Sequence, residues 1–184
     1  MKYTSLEQAI EKLNEIEAKS SALTHAMGIL NVDGETVAPK ASVEGRGRTL
    51  GVLSELEYTL STDPENLELA AYILENAPGE DRPLRRRAEL MKKQAEETAR
   101  IPKEEYVAYS MLVNDAQAVW EKAKNENDFA SFAPYFEKLV EFNRKLAGWL
   151  SPELSAYDAL LNEYEEGMTT AVLDLFFQTL QAFL

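Results

Sequence analysis

The C-terminal stretch YDALLNEYEEGMTTAVLDLFFQTLQAFL (Tyr157–Leu184) predicts two consecutive helices separated by a glycine. Gly167 ends the first helix, and the hydroxyl of Thr169 or Thr170 can accept from the unpaired amides that open the second. The second helix carries an apolar stripe at helical spacing, formed by Val172, Leu173, Phe176, Phe177, Leu180, Phe183 and Leu184. Because no glycine, basic residue or polar tail follows this stripe, we expect it to be buried by a partner or by further chain, and we expect the chain to be the front portion of a longer protein.

The N-terminal region predicts one long helix with a heptad-like apolar seam. The seam alternates steps of three and four residues and consists of Leu6, Ala9, Leu13, Ile16, Ser20, Leu23, Met27 and Leu30. Such a seam is typical of a dimerising coiled coil, and it also occurs on a long helix that packs within a helical domain. We favour the packed helix, because Ala9 and Ser20 weaken the seam.

Proline and aspartate signals divide the rest of the chain into further helices. Asp63-Pro64 and the pair Asp81 and Pro83 predict helix starts, because aspartate caps a first turn and proline suits its first positions. The predicted helices cover about residues 42–61, 63–76, 81–101, 102–125, 128–150 and 157–164, and residues 31–40 are predicted as a loop built on Asp33-Gly34. No sustained alternation of apolar and polar residues predicts a strand. The sequence therefore predicts an all-α array of about seven or eight helices, in a single helical region over residues 1–184.

Three glycines weaken the first half of the second predicted helix: Gly45, Gly47 and Gly51. Glycine is a poor helix former, but its missing Cβ lets another backbone approach closely. Two interpretations stay open, namely close packing of a neighbouring helix against this face, or fraying of this half of the helix.

The composition excludes several kinds of site. The chain has no cysteine, so disulfides, thiolate metal ligands and a cysteine nucleophile are absent. Its single histidine, His25, cannot build a zinc site of two histidines and a carboxylate, and no G-x-S-x-G motif indicates a catalytic triad. We interpret His25 as an ordinary surface or supporting residue.

The net charge of -13 disfavours nucleic acid and anionic membranes as partners. Because the sequence shows no signal or membrane-spanning segment, we expect a cytoplasmic protein.

Two groups of charged residues are candidates for chemistry. Asp33 and Glu35 could act as general acid and base, but two carboxylates at this spacing more often order a loop. Four arginines near the start of the fourth predicted helix could bind phosphate: Arg82, Arg85, Arg86 and Arg87. Because adjacent positions point in different directions around a helix, we favour salt bridges to this acidic surface instead.

Three segments resemble a known family of peptidases. YDALLNEYEEGMTT (Tyr157–Thr170) is similar to the landmark YDALLDxYEPGMTT of the carboxypeptidase Taq family of metallocarboxypeptidases, peptidase family M32. WEKAKNENDFASFAPYFEKLVEFNRKLA (Trp120–Ala147) resembles the helix–turn–helix segment before this landmark, and DGETVAPK (Asp33–Lys40) resembles the family's early loop WDxETxxP. The three segments occur in the family's order. The resemblance therefore extends from the first helix to the last residue, and it corresponds to the N-terminal part of such an enzyme.

The resemblance implies a nearly all-helical, zincin-type fold with a deep substrate groove, and the release of single residues from peptide C-termini. It also implies zinc, or sometimes cobalt, held by an H-E-x-x-H helix and a further glutamate. None of these ligands has a counterpart in this sequence. We therefore assign no catalytic residue and no metal-binding residue to the chain.

The same resemblance places the early loop, with Asp33, Glu35 and Thr36, at the substrate groove. Two positions depart from the family's pattern in the matched part. Asn31-Val32 stands where the family usually has an aromatic residue and a tryptophan, and Glu166 replaces the usual proline. The first change alters any contact that the loop makes with the groove, and the second alters only a turn.

Hypotheses from different classes follow from these observations. The first is the N-terminal fragment of a zinc-dependent metallocarboxypeptidase that acts on peptide substrates, with this portion forming a groove wall or lid and inactive alone. The alternative is a non-enzymatic helical interaction module derived from that family, which forms a homodimer through the heptad seam or the exposed C-terminal helix. A metal-free enzyme that uses Asp33 and Glu35 is a third hypothesis.

Overall fold

The computed structural model describes residues 3–183 and contains eight α-helices over that range. They are α1 (Leu6–Thr36), α2 (Val43–Ser61), α3 (Pro64–Asn76), α4 (Arg82–Arg100), α5 (Lys103–Glu126), α6 (Phe129–Leu150), α7 (Ala156–Tyr164) and α8 (Thr170–Gln181). A 3₁₀ turn, Lys40–Ser42, lies between α1 and α2, and residues 3–183 contain no strand. The predicted all-α fold is confirmed. No helix in this part of the chain is long and apolar enough to cross a membrane.

Side-chain caps explain where several of these helices begin. At α4, the carboxylate of Asp81 accepts a hydrogen bond from the amide of Leu84 at 3.1 Å. At α8, the hydroxyl of Thr169 accepts from the amide of Val172 at 3.4 Å. Each cap satisfies an amide that has no partner within its own helix. The starts predicted at these two positions are confirmed.

The prediction of a loop over residues 31–40 was wrong for most of that segment, because α1 continues through Thr36. The carbonyl of Asp33 accepts from the amide of Val37 at 3.1 Å, so helical hydrogen bonding persists past Asp33-Gly34. One glycine inside a helix costs only about 1 kcal/mol relative to alanine, which the packing of a long helix outweighs. Pro39 then prevents any continuation, because the residue before a proline disfavours the helical conformation.

The chain forms two compact units, and the first extends to Phe132. Its core joins α1, α3 and α4, with Leu84 and Ala88 contributed by α4. The fully buried large side chains are Leu13 on α1 and Leu69 and Ile73 on α3. Burial of one such side chain contributes about 1.5–3 kcal/mol. Leu13 belongs to the first half of the predicted heptad seam, so this half packs inside the chain's own core as the packed-helix interpretation expects. The second half of the seam, Ser20–Leu30, is half-buried at its seam positions.

In the first unit, α2 packs against α5 through two glycines. A Cβ at Gly47 would lie 3.0 Å from the side-chain nitrogen of Asn114. A Cβ at Gly51 would lie 3.1 Å from the sulfur of Met111. Both distances are shorter than ordinary van der Waals contact, so a larger residue at either position would displace its neighbour. Close packing, and not fraying, is therefore the role of these two glycines.

The second compact unit, from residue 133 onward, includes the turn between α7 and α8. Asp158 on α7 accepts a hydrogen bond from the amide of Thr170 at 2.7 Å. Gly167 has a φ of +84°, in the left-handed region that favours glycine, and its amide donates to the side chain of Asn162 at 3.0 Å. Side chains of the YDALLNEYEEGMTT segment therefore hold this turn in place.

The apolar residues of α8 are largely exposed. No described residue of α8 is buried. The large apolar side chains exposed on α8 and just after it are Val172, Leu175, Phe176, Phe177, Leu180 and Phe183. Leu173, which the pattern also assigns to the stripe, is half-buried, and Leu184 lies outside the described residues.

Replacement of Asp158 with asparagine should destabilise the protein in a pH-dependent way. Hydrogen bonds from the amide of Thr170 and from the hydroxyl of Ser155 lower the pKa of Asp158 in the folded state. The carboxylate therefore adds stability above its ordinary pKa of about 3.9. That contribution is lost as the pH falls through the lower folded pKa. In thermal melts between neutral pH and about pH 2, the difference in Tm between wild type and Asp158→Asn should be present at neutral pH and disappear at the acid end.

Asp174→Asn is the matched control for this experiment. Asp174 is exposed on α8, and its side chain forms no hydrogen bond or ion pair within residues 3–183. We expect its replacement to leave the pH profile of Tm unchanged. A difference for Asp158→Asn that persists at the same size down to the acid end would contradict the assigned hydrogen bonds.

Candidate functional site

The three residues predicted at the substrate groove lie in the last turn of α1 and not in a loop. Asp33, Glu35 and Thr36 are all exposed. At 3.6 residues per turn, Asp33 and Thr36 share one face, whereas Glu35 lies roughly 200° from Asp33 around the helix axis. The two carboxylates therefore point to different sides of α1. This geometry disfavours a paired acid and base built from Asp33 and Glu35.

A cleft of about 680 Å³ opens beside the end of α1, within the first unit. Its walls come from the end of α1, the connection to α2, the first turn of α2, the C-terminal half of α5 and the residues around the start of α6. Glu35 and Thr36 line this cleft. Asp33 instead lines a shallow surface along α1, together with His25. The structure thus brings two of the three predicted residues to the cleft and leaves the third outside it.

Arg46 on α2 lines the cleft and is held in place from two sides. Its Nε donates a hydrogen bond to the side-chain oxygen of Asn114 at 2.9 Å. Its guanidinium lies against Gly34, where a Cβ would come within 2.5 Å of the arginine Cζ. A longer contact of 3.5 Å joins its Nη1 to the hydroxyl of Ser42. The arginine takes this position only because residue 34 has no side chain.

Asn114 on α5 connects the cleft to the packed interior of the first unit. The residue is 6% exposed, and its side-chain nitrogen donates to the carbonyl of Val43 at 3.2 Å and to the carboxylate of Asp115 at 3.0 Å. Its side-chain oxygen accepts from Arg46. A buried amide is costly without such partners. Asn114 therefore ties the first turn of α2 to the middle of α5.

Most other charged side chains of the cleft have partners within the protein. Two exposed ion pairs lie on its rim, Lys40–Glu121 at 3.8 Å and Lys122–Glu126 at 4.0 Å. Asp128 accepts from the amide of Ser131 at 3.3 Å and thereby caps the start of α6. Hydrogen bonds from the side chain and the amide of Ser131 hold the pKa of Asp128 below its ordinary value. These residues stabilise the walls of the cleft.

Sequence reasoning did not assign Arg46, Asn114 or Trp120 to a site, although all three belong to this part of the fold. Trp120 lines the cleft and is 39% exposed. The signal that identifies the region lies in the glycines, because Gly34 and Gly47 mark positions that neighbouring side chains approach closely. Which side chain approaches each glycine depends on the tertiary fold.

The arginines near the start of α4 bind acceptors within the protein. Arg87 forms an ion pair with Glu17 at 2.6 Å, as the favoured interpretation expects. Arg85 donates to the carbonyl oxygens of Leu74 at 2.9 Å and Ala77 at 3.2 Å, which satisfies the C-terminal end of α3. These two side chains are used in structural contacts rather than presented to a phosphate.

The ligands of a catalytic zinc site are not found in this chain. The single histidine, His25, is exposed on α1. Within residues 3–183, no three histidine, aspartate or glutamate side chains lie together in a way that could hold a metal ion. A site of two histidines and a carboxylate therefore does not fit these residues.

The fold is an all-helical arrangement in which a polar cleft opens beside the first helix. The sequence profile of the carboxypeptidase Taq (M32) metallopeptidase family matches residues 12–184. Because this match covers nearly the whole chain, the protein belongs to that family. The family resemblance of the three sequence segments is confirmed.

Similar proteins are carboxypeptidases of which this chain matches one part. Carboxypeptidase 1 from Bacillus subtilis is 35% identical over 161 residues, which are 88% of this chain and 32% of that protein. Thermostable carboxypeptidase 1 from Pyrococcus furiosus is 32% identical over 176 residues, which are 93% of this chain and 35% of that protein. The crystal structure of BsuCP matches with a TM-score of 0.82 and 34% identity, over 96% of this chain and 35% of that one. The chain therefore spans about a third of the length of the curated relatives it matches.

Replacement of Asn114 with leucine should destabilise the first unit by about 1–3 kcal/mol, because the carbonyl of Val43 and the Nε of Arg46 lose their partner. Urea unfolding followed by circular dichroism measures this change. Asn125→Leu is the matched control, since Asn125 is exposed on the same helix. Equal unfolding midpoints for the two variants would show that the Asn114 network does not stabilise the fold.

Proposed function

We propose that this chain is the N-terminal part of a zinc-dependent metallocarboxypeptidase that releases amino acids from the C-termini of peptides. The observation that carries the proposal is the family match over residues 12–184. Relatives at 35% and 32% identity are named carboxypeptidases, and this chain covers about a third of each. The zinc, or cobalt, and the catalytic residues belong in this proposal to the remainder of such an enzyme, because this chain lacks the ligands for the metal.

In the proposed enzyme, this portion forms one wall or lid of the peptide-binding groove. The cleft beside α1 supports that role, because Glu35 and Thr36 border an open space of about 680 Å³. Arg46 adds a positioned cation to the same space. Asp33 lies on α1 outside the cleft, and its assignment to the groove rests on the family resemblance of its segment.

The isolated 184-residue chain should neither release the C-terminal residue of a peptide nor bind zinc stoichiometrically, because it carries a single histidine. Free amino acid released from an N-blocked dipeptide measures the activity, and atomic emission after dialysis measures the zinc. Carboxypeptidase 1 from Bacillus subtilis, assayed alongside, is the positive control. Activity or one zinc per chain in the isolated protein would contradict the proposal.

The coding sequence beyond codon 184 supplies a separate test of the parent enzyme. We expect an H-E-x-x-H motif in the same reading frame, followed by a further glutamate. A stop codon directly after codon 184 would count against the enzyme and in favour of an independent module.

One observation favours a second function, that of a helical interaction module. Six large apolar side chains on or just after α8 are between 41% and 83% exposed: Val172, Leu175, Phe176, Phe177, Leu180 and Phe183. Exposed apolar patches on a folded protein usually mark an interface. In the enzyme, this face packs against the remainder of the protein, whereas in the module it binds a second copy of the chain.

Charges placed on this face should reduce self-association of the isolated chain. We expect the double variant Phe176→Glu and Leu180→Glu to weaken it, since burial of two glutamates against an apolar partner is costly. The double variant Gln178→Glu and Gln181→Glu adds the same charge to the same helix and is the matched control. Light scattering over a concentration series measures the oligomeric state.

The form of the self-association separates the two functions. A defined dimer at all concentrations, lost only in the double variant of Phe176 and Leu180, supports the interaction module. A monomer that aggregates through this face as its concentration rises supports the enzyme fragment. Unchanged association in the variant would exclude this face as the contact in either case.

A further inference from the structure

Among residues 3–183, Arg46 and Glu35 are the charged side chains of the cleft beside α1 that neither form an ion pair nor cap a helix. The four charges on its rim are engaged in pairs, and Asp128 caps α6. Within residues 3–183, neither Arg46 nor Glu35 forms an ion pair. Asp115 lies in the same network, but its carboxylate accepts from Asn114. The guanidinium of Arg46 is therefore available to a carboxylate from outside the chain.

The guanidinium of Arg46 is positioned in the absence of any ligand. Its Nε is bound to the buried Asn114, and its plane is confined by the backbone at Gly34. Its contact to Ser42 is long, at 3.5 Å, and its second terminal nitrogen has no partner among the described residues. A guanidinium fixed in this way offers donors to a carboxylate with little loss of side-chain entropy on binding.

We propose that this cleft binds a free α-amino acid with an apolar side chain. The carboxylate of the ligand binds Arg46, and its ammonium group binds Glu35. A zwitterion matches one guanidinium and one carboxylate and brings no net charge into the cleft. Trp120, Val43 and Ala123 supply apolar surface for the side chain. The volume of about 680 Å³ lies within the range of small-molecule sites.

Amino-acid binding by this cleft goes beyond the proposed function and does not depend on it. Carboxypeptidases release free amino acids, but every residue invoked here belongs to this chain. A stop codon after codon 184 would remove the proposed enzyme and leave the binding site untouched. Absence of leucine binding would contradict the proposed amino-acid site and would not affect the proposed enzyme.

Isothermal titration of the 184-residue chain with L-leucine tests the site. We expect saturable binding of one leucine per chain. N-acetyl-L-leucine lacks the ammonium group and L-leucinamide lacks the carboxylate. Each analogue is expected to bind at least about tenfold more weakly, because each loses one charge-assisted contact.

Gly34→Ala is the most selective variant, because its Cβ would displace the guanidinium of Arg46 without removing its charge. Alanine also favours a helix over glycine, so α1 is not weakened by the change. Gly28→Ala is the matched control, since Gly28 lies in the same helix and a Cβ there would meet nothing within 4 Å. We expect Gly34→Ala to weaken leucine binding about tenfold and Gly28→Ala to leave it unchanged.

Two further variants assign each charge of the ligand to its partner. Glu35→Gln should reduce the affinity for L-leucine to that for N-acetyl-L-leucine. Arg46→Lys keeps the positive charge but loses the planar fork, so it should weaken both leucine and its acetylated analogue. The proposal is overturned by any of three results: no heat of binding at millimolar leucine, equal affinity for leucine and N-acetyl-L-leucine, or full affinity in Gly34→Ala.

Discussion

The missing Cβ atoms of Gly34, Gly47 and Gly51 are the constraint on which the arrangement of the first unit depends. Gly47 and Gly51 let α5 lie close against α2, and this approach places Asn114 beside Arg46. The guanidinium of Arg46 then fits against the backbone of α1 at Gly34. Close packing of α2 against α5 and the hydrogen bonds of Asn114 therefore depend on each other, because the side-chain amide of Asn114 reaches its partners only when the two helices lie this close. The cleft exists where α1, α2 and α5 meet under this constraint.

The segment that most clearly identifies the family has a structural role in this chain. Asp158 binds the amide of Thr170, and Gly167 takes a left-handed conformation whose amide binds Asn162. These contacts set the turn that leads into α8. In this chain, the side chains of the motif therefore hold the backbone of the turn. The apolar residues of α8, the helix that follows this turn, are largely exposed.

Local signals predicted the helices well and failed where tertiary contacts decide the outcome. Aspartate caps and prolines predicted the starts of α3 and α4, and a threonine cap predicted the start of α8, because a cap acts over three residues. Asp33-Gly34 reads as a turn by the same local rules, yet α1 continues through it. Gly34 instead makes room for the side chain of Arg46, which lies twelve residues further along the chain. The role of Arg46 was not predicted for a related reason, because the sequence alone does not show that its guanidinium lines the cleft and binds Asn114.

By itself, the sequence determined that the chain is helical, where most helices begin, which family it belongs to, and that it cannot supply two histidines to a metal. Each of these depends on composition, on spacing along one helix or on a short motif, and such signals are local. Only the tertiary structure decided that Glu35 lines the cleft while Asp33 faces away, and that Asn114 is buried against Arg46. The physical reason is that burial and charge pairing depend on distances between segments far apart in the chain. Those distances are set by the helix packing that the glycines permit.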